Sequence, residues 1–282
     1  MSKKRGILTL LVIGLLLLVG CSKSTSSNDD AIKVGIRSSE LRTWEYLKDR
    51  AKEEGLDIEL VHFSSTYDPN EALRDGEIDV NAFQHIAYLD TFNTKTKSDI
   101  VPIGTTIIAP LGIYSSKYES IEEIPDGSQI AIPNDQSNWG RALLLLQEAG
   151  LITVVDEFDG FGGEEKVKEN PKNLELIPVD GFNTPRAMED TGVSVIGNGI
   201  AVEAGLTLKD ALFHESATAK PYINIIAARS EDKDKEKLQK LVSLYQSEET
   251  KEFIKETYDG NYIPTFITLE ELATYKETYS NK

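Results

Sequence analysis

The chain reads as an α/β protein made of two lobes that share a cleft. Three observations predict this. Two β-α-β blocks follow one another, over residues 31–92 and 129–179. No polar linker parts them. The chain after residue 20 holds about 262 of the 282 residues, enough for two α/β lobes.

The elements follow in order. Residues 31–36 alternate and break into Arg37-Ser38-Ser39, a strand and a loop. Leu41, Trp44, Leu47 and Ala51 recur at helical spacing, which predicts a helix over 40–54 that Gly55 stops. A strand over 56–61, a short helix over 71–74, a strand over 78–81 and a helix over 83–92 complete the first block. Its β-α-β-α-β-α order implies a parallel sheet with helices on both faces. In such sheets ligands bind beyond the carboxyl ends of the strands. Residues 100–114 are apolar and β-rich, and Pro125-Asp126-Gly127 is a turn. The second block has a strand over 129–133, a helix over 140–149 and a strand over 174–179. A short helix over 185–190, strands over 193–199 and 222–229 and one long amphipathic helix over 232–257 finish the reading. The chain passes between lobes near Gly112-Ile113-Tyr114 and Pro221-Tyr222-Ile223, so one lobe spans 31–112 plus 223–282 and the other 113–222. The cleft between them is the expected functional site.

Composition excludes several classes. Cys21 is the only cysteine, so no internal disulfide or thiolate metal site is available. His62, His85 and His214 match no metal-ligand spacing, and neither a metal nor another cofactor is expected. Without Lys3, Lys4 and Arg5, 27 basic residues face 47 acidic ones, a net charge of about −20. Such a chain has no diffuse positive field for nucleic acid. Gly-x-Ser-x-Gly, Gly-x4-Gly-Lys-Ser/Thr and His-Glu-x-x-His are absent. No catalytic residue is assigned. Gly160-Phe161-Gly162-Gly163 is followed by Glu164 and Glu165 and reads as a surface loop, not a phosphate loop.

The N-terminus is more specific. Lys3, Lys4 and Arg5 precede a 13-residue apolar run from Ile7 to Val19, then Gly20-Cys21. This is the layout of a secretory signal over residues 1–20, too short to span a bilayer as a helix. Residues 22–30 are a polar tether. Leu18-Val19-Gly20-Cys21 resembles a bacterial lipobox, in which the cysteine carries lipid and heads the mature chain. The expected location is the extracytoplasmic face of the cell membrane.

Three segments look suited to a ligand. Phe83, His85 and Tyr88 follow a strand end and present an aromatic wall. The segment 133–143 runs from a strand through Asn134-Asp135-Gln136-Ser137-Asn138 into a helix N-terminus, where free N–H groups and the dipole favour an anion. Arg141 adds a planar fork for a carboxylate. In Gly197-Asn198-Gly199 the glycines let backbone approach a ligand, or form a plain strand-to-helix turn.

These segments, in this order behind a lipobox, resemble the methionine-binding lipoprotein family (MetQ/NlpA type), substrate-binding subunits of methionine-uptake ABC transporters. The resemblance covers essentially the whole mature chain. It rests on Pro69-Asn70-Glu71-Ala72-Leu73, Phe83-Gln84-His85-x-x-Tyr88-Leu89, residues 131–135 and 140–146, Glu169-Asn170-Pro171-Lys172-Asn173-Leu174, Pro185-Arg186-Ala187 and Glu203-Ala204-Gly205-Leu206. It implies a type II periplasmic-binding-protein fold with a hinged cleft, no enzymatic activity, a monomer, and an ABC permease with its ATPase as partners. It also implies that Phe83, His85 and Tyr88 cage the ligand side chain. Arg141 would hold the ligand carboxylate beside Asn138, with Asn224 toward the amino-acid backbone; Asn198 of the glycine turn joins the expected ligand-binding set.

The chain departs from that family at marked places. Gly197 stands for an asparagine, Ile200 for a tyrosine and Ile107 for a frequent histidine. A Gly/Pro-rich loop followed by His-Ala-Glu is replaced by Arg37-Ser38-Ser39-Glu40-Leu41-Arg42-Thr43-Trp44. A changed polar set can move specificity strongly. Three cargo readings follow: methionine, a methionine-containing dipeptide or another amino acid, and a surface interaction lipoprotein without uptake.

Overall fold

A computed structural model describes residues 31–64, 67–216 and 220–279. Cys21, the signal and the tether lie outside the described residues. The first segment forms β1 (Ile32–Ile36), α1 (Leu41–Glu53), β2 (Ile58–His62), α2 (Pro69–Arg74), β3 (Val80–His85), α3 (Ile86–Thr96) and β4 (Ile100–Ile108). Then come β5 (Gly112–Ser115), β6 (Gln129–Pro133), α4 (Gln136–Glu148), β7 (Thr153–Val154), β8 (Val167–Glu169), β9 (Glu175–Val179), α5 (Thr184–Thr191), β10 (Val193–Ile196), α6 (Asn198–Glu203) and β11 (Phe213–His214). The chain closes with β12 (Ile223–Arg229), α7 (Glu236–Tyr245), α8 (Glu248–Tyr258), β13 (Ile263–Pro264) and α9 (Leu269–Ala273).

Two main sheets result. One has the order β13-β4-β12-β3-β1-β2, the other β11-β5-β10-β6-β9. The chain leaves the first sheet after Ile108 and returns at Ile223, so residues 109–111 and, among the described residues, 215–216 and 220–222 lie between strands of the two sheets. β1 pairs in parallel with β2 and β3, as the β-α-β reading requires. Beyond that block the sheet is mixed. β12 runs antiparallel to both β3 and β4, because the chain re-enters this sheet from the second one and not through a crossover helix. The second sheet is mixed too: β10 is parallel to β6 and antiparallel to β5.

Packing explains the elements. One face of the first sheet meets Trp44 and Leu47 of α1, Leu238 and Leu241 of α7 and Ile254 of α8. The other face meets Leu73 of α2, Leu89 and Phe92 of α3 and Leu272 of α9. Fully burying one such leucine contributes about 1.5–3 kcal/mol. Leu143, Leu144, Leu145 and Leu146 are all buried in α4. Four consecutive positions point all round a helix, so the middle of α4 is covered on every side and only its ends, at Gln136 and Glu148, are exposed. Gly140 permits this cover, because a Cβ there would sit 2.1 Å from the Gly160 carbonyl oxygen.

Four element boundaries differ from the sequence reading. β3 extends to His85, so Phe83 and His85 lie on a strand end and not within a helix. α4 begins at Gln136, capped by Asp135, whose carboxylate accepts from Asn138 N. β10 ends at Ile196, and Asn198 already opens α6. The long final helix is two helices, broken where Ser247 caps α8 by accepting from Thr250 N.

Candidate functional site

His85 ends β3 and caps α3. Its Nδ1 accepts from Tyr88 N at 3.1 Å, so the proton sits on Nε2, which faces Asn138 Oδ1 at 3.1 Å. Burial, with Arg141 nearby, lowers the imidazole to about 3, and it stays neutral. Its ring meets Tyr222 edge-on at 5.4 Å. Phe83 and Tyr88 meet edge-on at 5.9 Å, and the Tyr88 hydroxyl donates to Asp68 Oδ2 at 3.0 Å. Burial, then Asp68, raises the Tyr88 phenol far above its ordinary range.

Opposite stands α4. Asp135 accepts from the Asn138 backbone at 3.0 Å and from its side-chain Nδ2 at 3.0 Å, which fixes the amide with Oδ1 toward His85. Arg141, one turn on, is 4% exposed. It donates through Nε to Glu215 Oε1 at 2.8 Å and through Nη2 to Glu215 Oε2 at 2.5 Å. Nη2 also reaches the Ala109 carbonyl at 2.9 Å, and the guanidinium lies 4.3 Å from the centre of the Tyr222 ring. Burial opposes the charge, but Glu215 outweighs it and holds the guanidinium cationic. Glu215 was not legible in the sequence as one of 47 acidic residues.

Asn224 lies on β12 directly across from His85 in the strand register. Asn198, 1% exposed, donates through Nδ2 to the Asn261 carbonyl. Its buried Oδ1 has no partner among the described residues. A cavity of about 360 Å³ gathers these groups: Phe83, His85, Tyr88, Asn138, Arg141, Asn198 and Asn224 all line it. Elements of both sheets contribute, and the size falls in the range of small-molecule sites. A larger groove of about 1150 Å³ runs outward past Asp68, Asp90 and Asp159. It shares only Asp68, Tyr88, Asn134 and Asp135 with the cavity and holds none of Asn138, Arg141, Asn198 and Asn224, so the smaller space is the candidate site.

The structure sorts the sequence departures. Arg37, Glu40, Gly197 and Ile200 line the cavity. Trp44 does not: it is 1% exposed in the core against Tyr245. Ile107 does not either, being 3% exposed in the core of the first sheet, so its replacement of a frequent histidine does not alter the cavity lining. Asp68, Phe182 and Tyr262 also line the cavity and went unmarked in the sequence, and Glu203, read only as part of a family stretch, lines it too. The Glu40 carboxyl is pushed up to about 8, chiefly by burial and further by Glu203. Among the described residues no cluster of His, Cys, Asp and Glu is suited to a metal ion.

Two sheets between which the chain crosses twice, with a polar cavity lined from both, define the class of two-lobed substrate-binding proteins. The NlpA lipoprotein family model matches residues 32–266. The chain belongs to that family. It is 37% identical over 280 residues to lipoprotein YhcJ of Bacillus subtilis, covering 99% of this chain and 100% of that one. It is 40% identical over 257 residues to the D-methionine-binding lipoprotein MetQ of Escherichia coli, covering 89% and 94%. The solved structure of a nutrient-binding protein from Burkholderia cenocepacia bound to methionine superposes with a TM-score of 0.80 at 40% identity, covering 84% and 100%.

Proposed function

We propose that this chain is the lipid-anchored substrate-binding protein of an amino-acid ABC importer, with methionine as its first cargo. The observation that carries the reading is the convergence of seven ligand-type side chains on one cavity between two sheets. In this reading the lobes are 31–112 plus 223–282 and 113–222, and they close about residues 109–111 and 220–222. Phe83, His85 and Tyr88 pack on the ligand side chain, where a thioether meets aromatic edges favourably. Arg141, beside Asn138, holds the carboxylate, and Asn198 and Asn224 take the amino-acid backbone. Nothing is bonded or cleaved, so the chain needs no catalytic residue and acts as a monomer that hands its load to a permease. Lipid on Cys21 keeps the cleft at the extracytoplasmic membrane face, with more than one acyl chain for stable anchoring. Calorimetry of the full chain in detergent with L- and D-methionine tests this. Heat of binding at one site per chain is expected; no heat and no thermal shift with either isomer sinks the methionine assignment.

A second reading keeps the transport role with a methionine-containing dipeptide or another amino acid. Open space favours it: a Cβ built on Gly197 or on Gly181 would meet only Ile200 Cδ1, at 3.9 Å. A thermal-shift screen of the twenty amino acids and methionyl dipeptides separates the two.

A further inference from the structure

Arg141 and Arg37 both line the cavity, and their charges are spent differently. Arg141 is matched by Glu215 through two hydrogen bonds. Arg37 makes no ion pair among the described residues; its side chain donates to the Ser64 carbonyl and, at 3.4 Å, to the Tyr67 carbonyl. Its guanidinium lies 5.3 Å from the Phe83 ring centre and 4.7 Å from that of Phe182. Phe83 belongs to β3 of the first sheet, whereas Phe182 lies on the 3₁₀ turn Gly181–Asn183, which follows β9 of the second. Two rings near the cation leave its N–H edges as its polar face. A guanidinium has five N–H donors. Two meet carbonyls, and three remain at a side chain that lines the cavity.

The neighbours limit what those donors can take. Asp68, Glu40 and Glu203 all act on Arg37, as does the Tyr88 phenol. Asp68 and Glu203 already place negative charge near Arg37, so an anionic ligand group would meet them, and an ammonium would face the guanidinium itself. An uncharged oxygen accepts from Arg37 and adds no charge. Gly197 and Gly181 leave room for it beside Phe182.

We propose that Arg37 is a specificity-determining residue that donates to an uncharged oxygen on the ligand, beyond the aromatic wall of Phe83 and Tyr88. This rests on the amino-acid-binding reading and refines its cargo. Two ligand sources share the chemistry: the sulfoxide oxygen of an oxidised methionine and the peptide carbonyl of a methionyl dipeptide.

The test is calorimetry of the full chain in detergent, using L-methionine, L-methionine sulfoxide, glycyl-methionine and methionyl-glycine. Wild type is expected to bind the sulfoxide or a dipeptide at least about tenfold more tightly than methionine, the worth of one hydrogen bond to a charged donor. Which ligand gains identifies the source. Arg37→Met should bring that ligand to within about threefold of methionine, and Arg37→Lys should keep part of the preference. Melting curves of both variants exclude misfolding; should Arg37→Met fail to fold, Arg37→Gln takes its place. Methionine binding as tightly as every oxygen-bearing ligand overturns the proposal. So does an equal loss for all ligands in the variants, which would make Arg37 a prop between Phe83 and Phe182. Binding of none of the four overturns the methionine-type reading as well.

Discussion

Removing the Glu215 carboxylate while Arg141 stays should be among the most damaging single changes in the second sheet's surroundings. The side chains of the pair are 5% and 7% exposed. Glu215 accepts from Arg141 Nε at 2.8 Å, from Nη2 at 2.5 Å and from Leu111 N at 2.8 Å. Glu215→Ala leaves an uncompensated buried cation, which costs about 3–5 kcal/mol. For a domain of this size each kcal/mol moves Tm by roughly 2–4 °C, so a fall of about 6–20 °C is expected. The double variant Arg141→Met, Glu215→Leu removes both charges and keeps apolar volume, and should regain most of that loss. A residue of about 1–3 kcal/mol should persist, because the Leu111 N–H and the Ala109 carbonyl lose their side-chain partners. Thermal unfolding by circular dichroism reads both variants. A Tm shift under about 2 °C for Glu215→Ala, or a double variant no more stable than the single, would refute the claim that the pair is buried and mutually dependent.

Three further outcomes are expected. The same double variant should bind the amino-acid ligand at least about tenfold more weakly, the loss of one charge-assisted bond, while retaining a cooperative melt; unchanged calorimetric affinity removes Arg141 from the site. Gly140→Ala should destabilise by about 1–3 kcal/mol in urea unfolding despite the better helix former, because the new Cβ meets backbone at Gly160 and not a mobile side chain. His85 is held near 3 when folded against an ordinary 6.5, so its contribution is complete above 6.5 and is lost as pH falls toward 3. Stability should therefore drop by up to about 1.4 kcal/mol per pH unit between pH 6 and 5, and His85→Gln should flatten that slope; a parallel pH profile for the two proteins contradicts a buried neutral imidazole.

The elements that periodicity exposes were legible, and those built on polar side chains were not. α1 showed its apolar stripe, and Trp44, Leu47 and Ala51 are buried as the spacing requires. β3 was cut short at Asn81 because its inner residues are polar. Asn81 Nδ2 donates to Asn70 Oδ1 at 2.8 Å, and Gln84 Nε2 donates to the same oxygen at 2.6 Å. Asn70 Nδ2 returns a bond to Gln84 Oε1 at 2.8 Å. A closed amide network buries polar groups without an apolar pattern to announce it. The break between α7 and α8 lay in Ser247, whose cap interrupts an apolar stripe that runs on across it. In the site, Asn138 and Arg141 could be read from a cap followed by a helix, a local feature. Glu215 lies 74 residues from Arg141, and nothing in one sequence links them.

That separation bears on how cargo can change while the scaffold holds. The Arg141 end of the cavity is fixed by long-range contacts: Glu215 lies on the segment returning to β12, Ala109 on the segment leaving β4, and Asn224 on β12 itself. Altering any of these disturbs the crossing segments or a buried charge. The Arg37 end is built differently. Arg37 and Glu40 sit on a short turn, and Phe182 sits on another. Gly197 and Gly181 leave space that a side chain could fill without meeting backbone. Substitutions here change polarity and volume at small cost to folding. In the proposed reading, a binding protein so divided keeps its amino-acid end constant and varies what it reads beyond the aromatic wall, where Arg37, Glu40, Gly197 and Ile200 line the cavity.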